Sequence, residues 1–543
     1  MKPFDATGSF QATVNEGGVK RLAIRGAGIT VFSSGLGLVV QMVSTVVLAR
    51  LLVPSDFGLV TMVTTFSLLL VNFGLNGFTE AVLQREQINH LLISNLFWIN
   101  ITAGVILTAG FAAAGSSLAQ FYKNPLVASV ATGISLTILA TSTSVLHLAL
   151  LKRAMRFTTV SLINILAQAG SIVVSIYLAW QHWGYKALVV GAVAQTVFQA
   201  LGAWSFCTWI PGLPGRATGT ASMVRFAMHV YGRFTVNYFA RNVDNLLVGW
   251  RFGSISLGFY KKAYDLFALS ASQLTSPLSN VAVSALSRFK PESDQYRKFF
   301  LNAIGIIAFT GMGLSAEFTI IGKDLIRVLL GPGWESSGQV FTFFGPGIGM
   351  MMIYYANSWI HLSVGRPDRW FRWGLIEVGV TCLLFLIMLP WGPVGIAIAW
   401  TLSFWILTLP AFWYAGKPIN FGIAPLLATI WRPLTAAIIA GSATVPLAAQ
   451  LHLFAALAPP LAALARIAVD TLIFGVFYLA ATVVLHGGWA PIRQMAEILK
   501  EMVAFRTSAR RSQPNEMETR TANTADSSKD SLIELVVDST RRD

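Results

Sequence analysis

Apolar stretches of about 20 residues follow one another almost from end to end of this 543-residue chain. A helix that crosses a bilayer needs about that length of mostly apolar sequence, and it pairs all its backbone polar groups within itself. Few folds tolerate such a pattern. A soluble enzyme with one anchor is excluded, because 55% of the residues are hydrophobic and only 12% charged, where ordinary soluble domains carry about 25% charged residues. A β-barrel would alternate polar and apolar residues over strands of about 10 residues, and these stretches do not. The expected fold is an all-α polytopic membrane protein.

Fourteen candidate spans can be placed, six within 27–207, six within 226–414 and two within 430–485. Two of them, 226–250 and 255–285, carry charged residues, and DLIRVLLGPGW before the tenth span reads as a short interfacial piece. The first span has no small-residue cleavage site behind it and reads as a permanent helix. Residues 1–26 form an N-terminal segment, of which 1–20 is polar and expected to be disordered. In 491–505, Ile492, Met495, Leu499, Met502 and Phe505 recur at helical spacing, the pattern of an amphipathic interfacial helix. The mixed-charge tail 506–543, with its short apolar patch LIELVV, is expected to be disordered.

The net charge of +15 does not signal nucleic acid. A nucleic-acid binder clusters its basic residues on a soluble face, whereas most of these lie between apolar segments. The even-numbered connections hold Arg85, Lys152, Arg153, Arg156, Arg216, Arg225, Arg288, Lys290, Arg297, Lys298, Arg366, Arg369, Arg372, Lys417 and Arg432. The odd-numbered ones are poorer, with Arg50, Lys123, Arg251, Lys323 and Arg327 among them. Positive residues stay inside, so the N-terminus, the even connections and the C-terminus are expected in the cytoplasm of an inner-membrane protein.

The two halves resemble each other. ARLLVPSDFGLVT (49–61) aligns with GWRFGSISLGFYK (249–261), so that Gly58 falls on Gly258 and Phe57 on Leu257. LHLALLKRAMRF (146–157) aligns with IHLSVGRPDRWF (360–371), so that His147 falls on His361 and Lys152 on Arg366. Spans 1–6 and 7–12 therefore read as a parallel repeat of two six-helix lobes, the arrangement of alternating-access transporters with a site between the halves.

Ionisable groups inside spans are costly and suggest function. Arg233, Asn237, Arg241 and Asp244 recur at helical spacing in the seventh span, and Lys261, Lys262 and Asp265 follow in the eighth. They predict a wet, cationic cavity, in which Arg241, Arg233, Asn237, Lys261 and Lys262 meet an anionic substrate. The alternatives are a structural ion pair between Arg241 and Asp244, and snorkelling of Arg233 and the lysines to an interface. Asp244, Asp265 and the lone acids Glu317 and Glu377 are the candidates for a coupling Na+ or H+; the alternative for Glu317 and Glu377, and the one their positions favour, is a span-end or helix-bonded acid. His147 and His361 precede cytoplasmic connections and read as interfacial. Catalytic constellations are missing: there is no phosphate-binding loop, and Cys207 and Cys382 have no metal-type spacing. The chain is expected to be no enzyme and to need no cofactor or metal.

Four motifs carry a family resemblance: ARLLVPSDFGLV after the first span, NVDNLLVGWRFGSISLGFYKKAYDL across spans 7 and 8, PLSNVAVSALSRF before the next connection, and VLLGPGW before span 10. Over about residues 20–485 the chain resembles the polysaccharide-transporter (Wzx-type flippase) branch of the multidrug/oligosaccharidyl-lipid/polysaccharide exporter superfamily, closest to colanic-acid-exporter-like members. The resemblance implies two six-helix lobes plus two C-terminal helices around a central cavity. It also implies export of undecaprenyl-pyrophosphate-linked repeat units, with basic cavity residues, Arg241 foremost, receiving the pyrophosphate. The partners implied are the lipid-linked oligosaccharide, membrane lipids, and a polysaccharide polymerase and chain-length regulator. A MATE-like cation-coupled exporter and a lipid II flippase share the fold and remain the alternatives.

Overall fold

The computed structural model describes residues 1–10, 16–216, 219–450, 459–489 and 493. The amphipathic segment expected at 491–505 and the tail 506–543, Arg493 aside, lie outside the described residues. Sixteen α-helices follow in order: α1 Glu16–Leu51, α2 Pro54–Gln84, α3 His90–Ala113, α4 Gly115–Phe121, α5 Leu126–Arg153, α6 Phe157–Trp180, α7 Tyr185–Phe206, α8 Thr220–Ala240, α9 Val243–Leu286, α10 Asp294–Leu330, α11 Glu335–Tyr355, α12 Asn357–Ser363, α13 Pro367–Met388, α14 Gly392–Gly416, α15 Ile423–Gln450 and α16 Pro459–His486. No strand occurs among the described residues. Large apolar side chains on the outer faces are open, Phe32 at 74% and Leu472 at 70%, as bilayer-facing surface must be.

Among the described residues ten segments are long and apolar enough to cross a membrane, and one of them, Pro367–Ile419, contains both α13 and α14. The helices at 226–250, 255–285 and 337–362 are not among them; α8 and α9 carry basic residues and α11 is rich in glycine. The count of fourteen is thus not reached by length and apolarity alone. Within residues 1–475, α1 to α7 pack on one another and α9 to α14 on one another. The halves meet chiefly where α2 lies against α8 and α9, and α15 packs along α10. A second unit begins at Val476; in it α16 continues to His486, with the Thr482 hydroxyl donating to the Tyr478 carbonyl at 2.7 Å.

Three expectations are corrected. Residues 1–10 are ordered rather than disordered: the Gly8 carbonyl accepts from His90 N at 2.8 Å and the Met1 carbonyl from Thr208 N at 3.0 Å, and the Phe4 ring lies 6.2 Å from that of Trp209. Asp5 closes this turn by accepting from Thr7 Oγ1 (2.6 Å), Thr7 N and Ser9 N (both 2.9 Å). The piece before Gly331 is no separate interfacial segment but the end of the continuous α10. His147 and His361 are buried within their lobes, 0% and 1% exposed. His147 Nε2 lies 3.1 Å from the Trp209 carbonyl, and its ring stacks on Trp204.

Candidate functional site

The two copies of the repeated motif meet each other. Pro54, whose fixed φ suits a first helical position, starts α2. In α9 the helix breaks at Gly253, which takes φ 79° and ψ −177°, a conformation open to glycine but not to most other residues. Past that break, α9 crosses the start of α2 with almost no gap. A Cβ placed on Gly58 would sit 1.7 Å from the Ser254 carbonyl oxygen, and one on Gly258 would sit 1.9 Å from that of Pro54. The contact is reciprocal, position for position, which is the geometry of a pseudo-two-fold axis between the halves. Small residues let helix backbones approach this closely in a membrane.

Two further motifs converge on the same end. The Trp334 indole, from GPGW, donates to the Ala49 carbonyl at 2.8 Å, and Arg50 donates to the Val328 carbonyl at 2.8 Å. Trp334 also meets the Phe57 and Phe259 rings edge-on, 5.6 and 6.0 Å between centroids. This end of the interface between halves is sealed by backbone contact and by a buried aromatic cluster.

Next to the seal lies a polar cavity of about 260 Å³ bounded by α1, α2, α6, α7 and α9. From the N-terminal half come Gln41, Gln168, Gln195, Ser44 and Thr61; from α9 come Lys261, Lys262 and Asp265. Gln168 Nε2 donates to Gln41 Oε1 at 3.0 Å, bridging α1 and α6. Lys261 and Asp265 form an i, i+4 ion pair and neutralise each other. Lys262 is only 8% exposed and sits over the Phe57 ring, 4.1 Å from its centroid. Among the described residues it makes no ion pair; the acid within its electrostatic reach is Asp265, already paired with Lys261, so these three side chains together carry one net positive charge. Such a site suits an anion.

The seventh span is not one helix. It breaks at Arg241 and Asn242, between α8 and α9, so the predicted stripe from Arg233 to Asp244 is not continuous. The predicted pair of Arg241 with Asp244 does not form. Arg241 is exposed and faces the Tyr355 ring at 5.9 Å. Asp244 is buried and accepts from the Tyr260 hydroxyl (2.7 Å), Trp400 Nε1 (3.1 Å) and Asn245 N (2.8 Å). Arg241 instead falls within electrostatic reach of Glu377 on α13, whose carboxylate accepts from the Tyr354 hydroxyl. The side chains of Arg233 and Asn237 lie outside the described residues.

Glu317 lies apart from all of these, on α10 against α16. It is 8% exposed, its Oε1 accepts from Thr471 Oγ1 at 2.5 Å, and its Oε2 has no hydrogen-bond partner. Beside it Arg466 binds Asp324 in a bidentate pair at 2.7 and 2.9 Å. The structure thus separates seven of the nine candidates, Arg233 and Asn237 aside, into a cavity group (Lys261, Lys262, Asp265), a C-terminal-half group (Arg241, Asp244, Glu377) and the isolated Glu317. Sequence reasoning missed the glutamines. Uncharged amides inside spans are themselves a signal, since a buried amide needs partners, and Gln41, Gln168 and Gln195 all lie in candidate spans. A larger open groove of about 860 Å³, lined by Trp98, Ile106 and Arg216 among others, lies between α3 and the α7–α8 linker, away from the cavity.

Known proteins resemble this chain in sequence and in fold. The family model described as polysaccharide biosynthesis protein matches residues 47–339. The teichuronic acid biosynthesis protein TuaB of Bacillus subtilis is 22% identical over 66% of the chain and 74% of its own length. The lipopolysaccharide biosynthesis protein WzxC of Escherichia coli is 21% identical over 74% and 82%. Among solved structures, an inward closed conformation of the lipid II flippase MurJ superimposes with a TM-score of 0.66, covering 84% of this chain and 98% of that one at 13% identity. An inward-facing multidrug transporter of the MATE family superimposes with a TM-score of 0.56, covering 71% and 94% at 10% identity.

Proposed function

The chain belongs to the polysaccharide biosynthesis protein family, as a multi-pass membrane transporter of the Wzx type, and on that premise we propose that it flips an undecaprenyl-pyrophosphate-linked oligosaccharide across the bacterial inner membrane by alternating access. The observation that carries the reading is Lys262, a buried ammonium that makes no ion pair among the described residues and whose nearby acid, Asp265, is held by Lys261, in a polar cavity between the halves. An uncompensated cation in a membrane protein is costly and is kept for an anion. A pyrophosphate entering the cavity supplies the missing charge. Lys262 leaves the Phe57 face to meet it, the Lys261–Asp265 pair holds the lysine stems in place, and the glutamines of α1, α6 and α7 offer donors to sugar hydroxyls. Arg241, exposed at the α8–α9 break, takes an early contact as the lipid headgroup arrives.

Transport then needs the sealed end to open. The Gly58–Ser254 and Gly258–Pro54 contacts must part together, because each is the mirror of the other, and Trp334 must leave Ala49. An ion gradient supplies the work, with Asp244, Asp265, Glu317 and Glu377 as the candidate carriers. The N-terminus, the even connections and the C-terminus face the cytoplasm, which puts the sealed end on the periplasmic side. A polymerase and a chain-length regulator receive the flipped unit.

The test uses purified protein in liposomes carrying a lipid-linked oligosaccharide extracted from cells. Flipping makes the glycan accessible to an external lectin. Rates equal to those of protein-free liposomes would refute the proposal, and flipping of lipid II in preference would favour the alternative flippase reading.

A further inference from the structure

We propose that Glu317 is the carboxyl that takes up and releases a proton in this transporter, and that it does so in the seam between α10 and α16. The inference rests on the reading of the chain as a gradient-driven flippase and deepens it. Of the four acids considered for coupling, three are committed. Asp244 spends its oxygens on Tyr260, Trp400 and Asn245. Asp265 holds Lys261. Glu377 accepts from Tyr354 and lies in the field of Arg241. Glu317 alone keeps a buried oxygen, Oε2, with no partner.

The seam explains why a proton belongs there. Glu317 and Asp324 are two turns apart on one face of α10, and Arg466, Asp470 and Thr471 are on α16. The one cation of this group, Arg466, is held bidentately by Asp324, and Asp470 adds a second negative charge within electrostatic reach of Glu317. Among the described residues no other packed helix offers Glu317 a counter-charge. On α11 the only acid is Glu335, its first residue, whereas Glu317 lies level with Gly345, whose carbonyl accepts from Ser315 at 2.6 Å; ten residues of helix are about 15 Å. On α15 the only charge is Arg432, about two turns below the level of Glu317, since Gly305 meets Thr429 and Gly441 meets Ile320. The charges of α9 are engaged elsewhere, Arg251 over the Phe252 ring, and Arg50 of α1 is bound to Val328.

An ionised Glu317 therefore faces one hydroxyl donor and a like charge in a buried site, which is a costly arrangement. The neutral acid donates from Oε1 to Thr471 Oγ1 and leaves Oε2 as a plain carbonyl oxygen. A metal cation fits less well: two carboxylate oxygens and one hydroxyl fall short of the six or more that a hard cation takes, and among the described residues no three His, Cys, Asp or Glu converge. Proton loss turns Thr471 Oγ1 into the donor to Oε1 but leaves a buried charge facing Asp470, and that repulsion acts to loosen α16 from α10. The proton thereby bears on how firmly residues 459–475 of α16 hold to α10.

Infrared difference spectroscopy of the reconstituted protein during a pH jump, without substrate, reads the site directly. Wild type is expected to show a protonated-carboxyl band that disappears in Glu317→Gln, persists in Asp244→Asn, and shifts in frequency in Thr471→Val as the hydrogen bond is lost. A band unchanged in Glu317→Gln overturns the site. Flipping is then measured with and without a pH gradient: Glu317→Gln is expected to lose the acceleration by the gradient, and a variant that keeps it in full overturns the coupling role. If wild type flips no lipid-linked sugar but the band behaves as stated, the flippase reading fails and the proton site stands.

Discussion

Substitution of Gly58 by alanine tests the sealed interface most sharply. The new methyl carbon would lie 1.7 Å from the Ser254 carbonyl oxygen, 2.6 Å from its carbon and 2.9 Å from its Cα. Carbon and oxygen approach only to about 3.3 Å in close helix contacts, so α2 and α9 must part by roughly 1.6 Å. The obstacle is backbone, which cannot swing aside as a side chain does. Overpacking costs about 1–3 kcal/mol where neighbours can adjust, and the upper figure applies here. About 3 kcal/mol changes a two-state ratio by more than a hundredfold, enough to bring a 99:1 preference for the sealed state near 1:1. Gly258→Ala should act alike through Pro54. The double variant should fall well short of the sum, because the first methyl has already separated the shared contact. Spin labels on the exposed Val53 and Ile255 (57% and 58% exposed), with Cys207 and Cys382 replaced, measure the opening by electron double resonance. A longer distance population should appear in each single variant, with slower export. An unchanged distance distribution together with wild-type export would show that the glycine pair does not set the conformational balance.

Other outcomes follow from the same geometry. Lys262→Gln should reduce flipping at least tenfold while Lys262→Arg keeps part of it, since loss of a charge-assisted contact costs about 1.5–3 kcal/mol; flipping assays on protein of equal melting temperature decide this. Because Arg241 faces Tyr355 and not Asp244, an Arg241→Ala, Asp244→Asn double variant should recover no export over Arg241→Ala; recovery would restore the ion-pair reading. Cysteine labelling should find positions near Lys152 and Arg369 cytoplasmic and those near Lys123 and Lys323 periplasmic, and reversed labelling would overturn the orientation. Asp5 has its carboxyl held below the usual range by the Thr7 hydroxyl and then by the Ser9 amide. A depressed native value means that the ionised form supports the turn above the ordinary value of 3.8, and that this support fades as pH falls through the lower native value. Hydrogen exchange at Thr7 and Ser9 should therefore rise on acidification, and Asp5→Asn should remove that dependence.

The sequence alone determined that this chain is a many-helix membrane protein, because bilayer thickness imposes a length of apolar residues that is local and directly countable. It also disclosed the repeat: the alignment of Gly58 with Gly258 is a statement about identity, and the backbones of the two halves meet at that pair. Tertiary structure decided what the polar residues do. Nothing in 226–250 marks the break at Arg241 and Asn242, since neither Pro nor Gly stands there, and helical spacing therefore suggested a stripe and an ion pair that the break removes. Asp244 finds its Trp400 partner 156 positions away, and Glu317 its Thr471 partner 154 away. Apolarity is a property of a segment, but in a membrane the partner of a buried polar group is set by which helices pack together, and that information is spread over the whole chain.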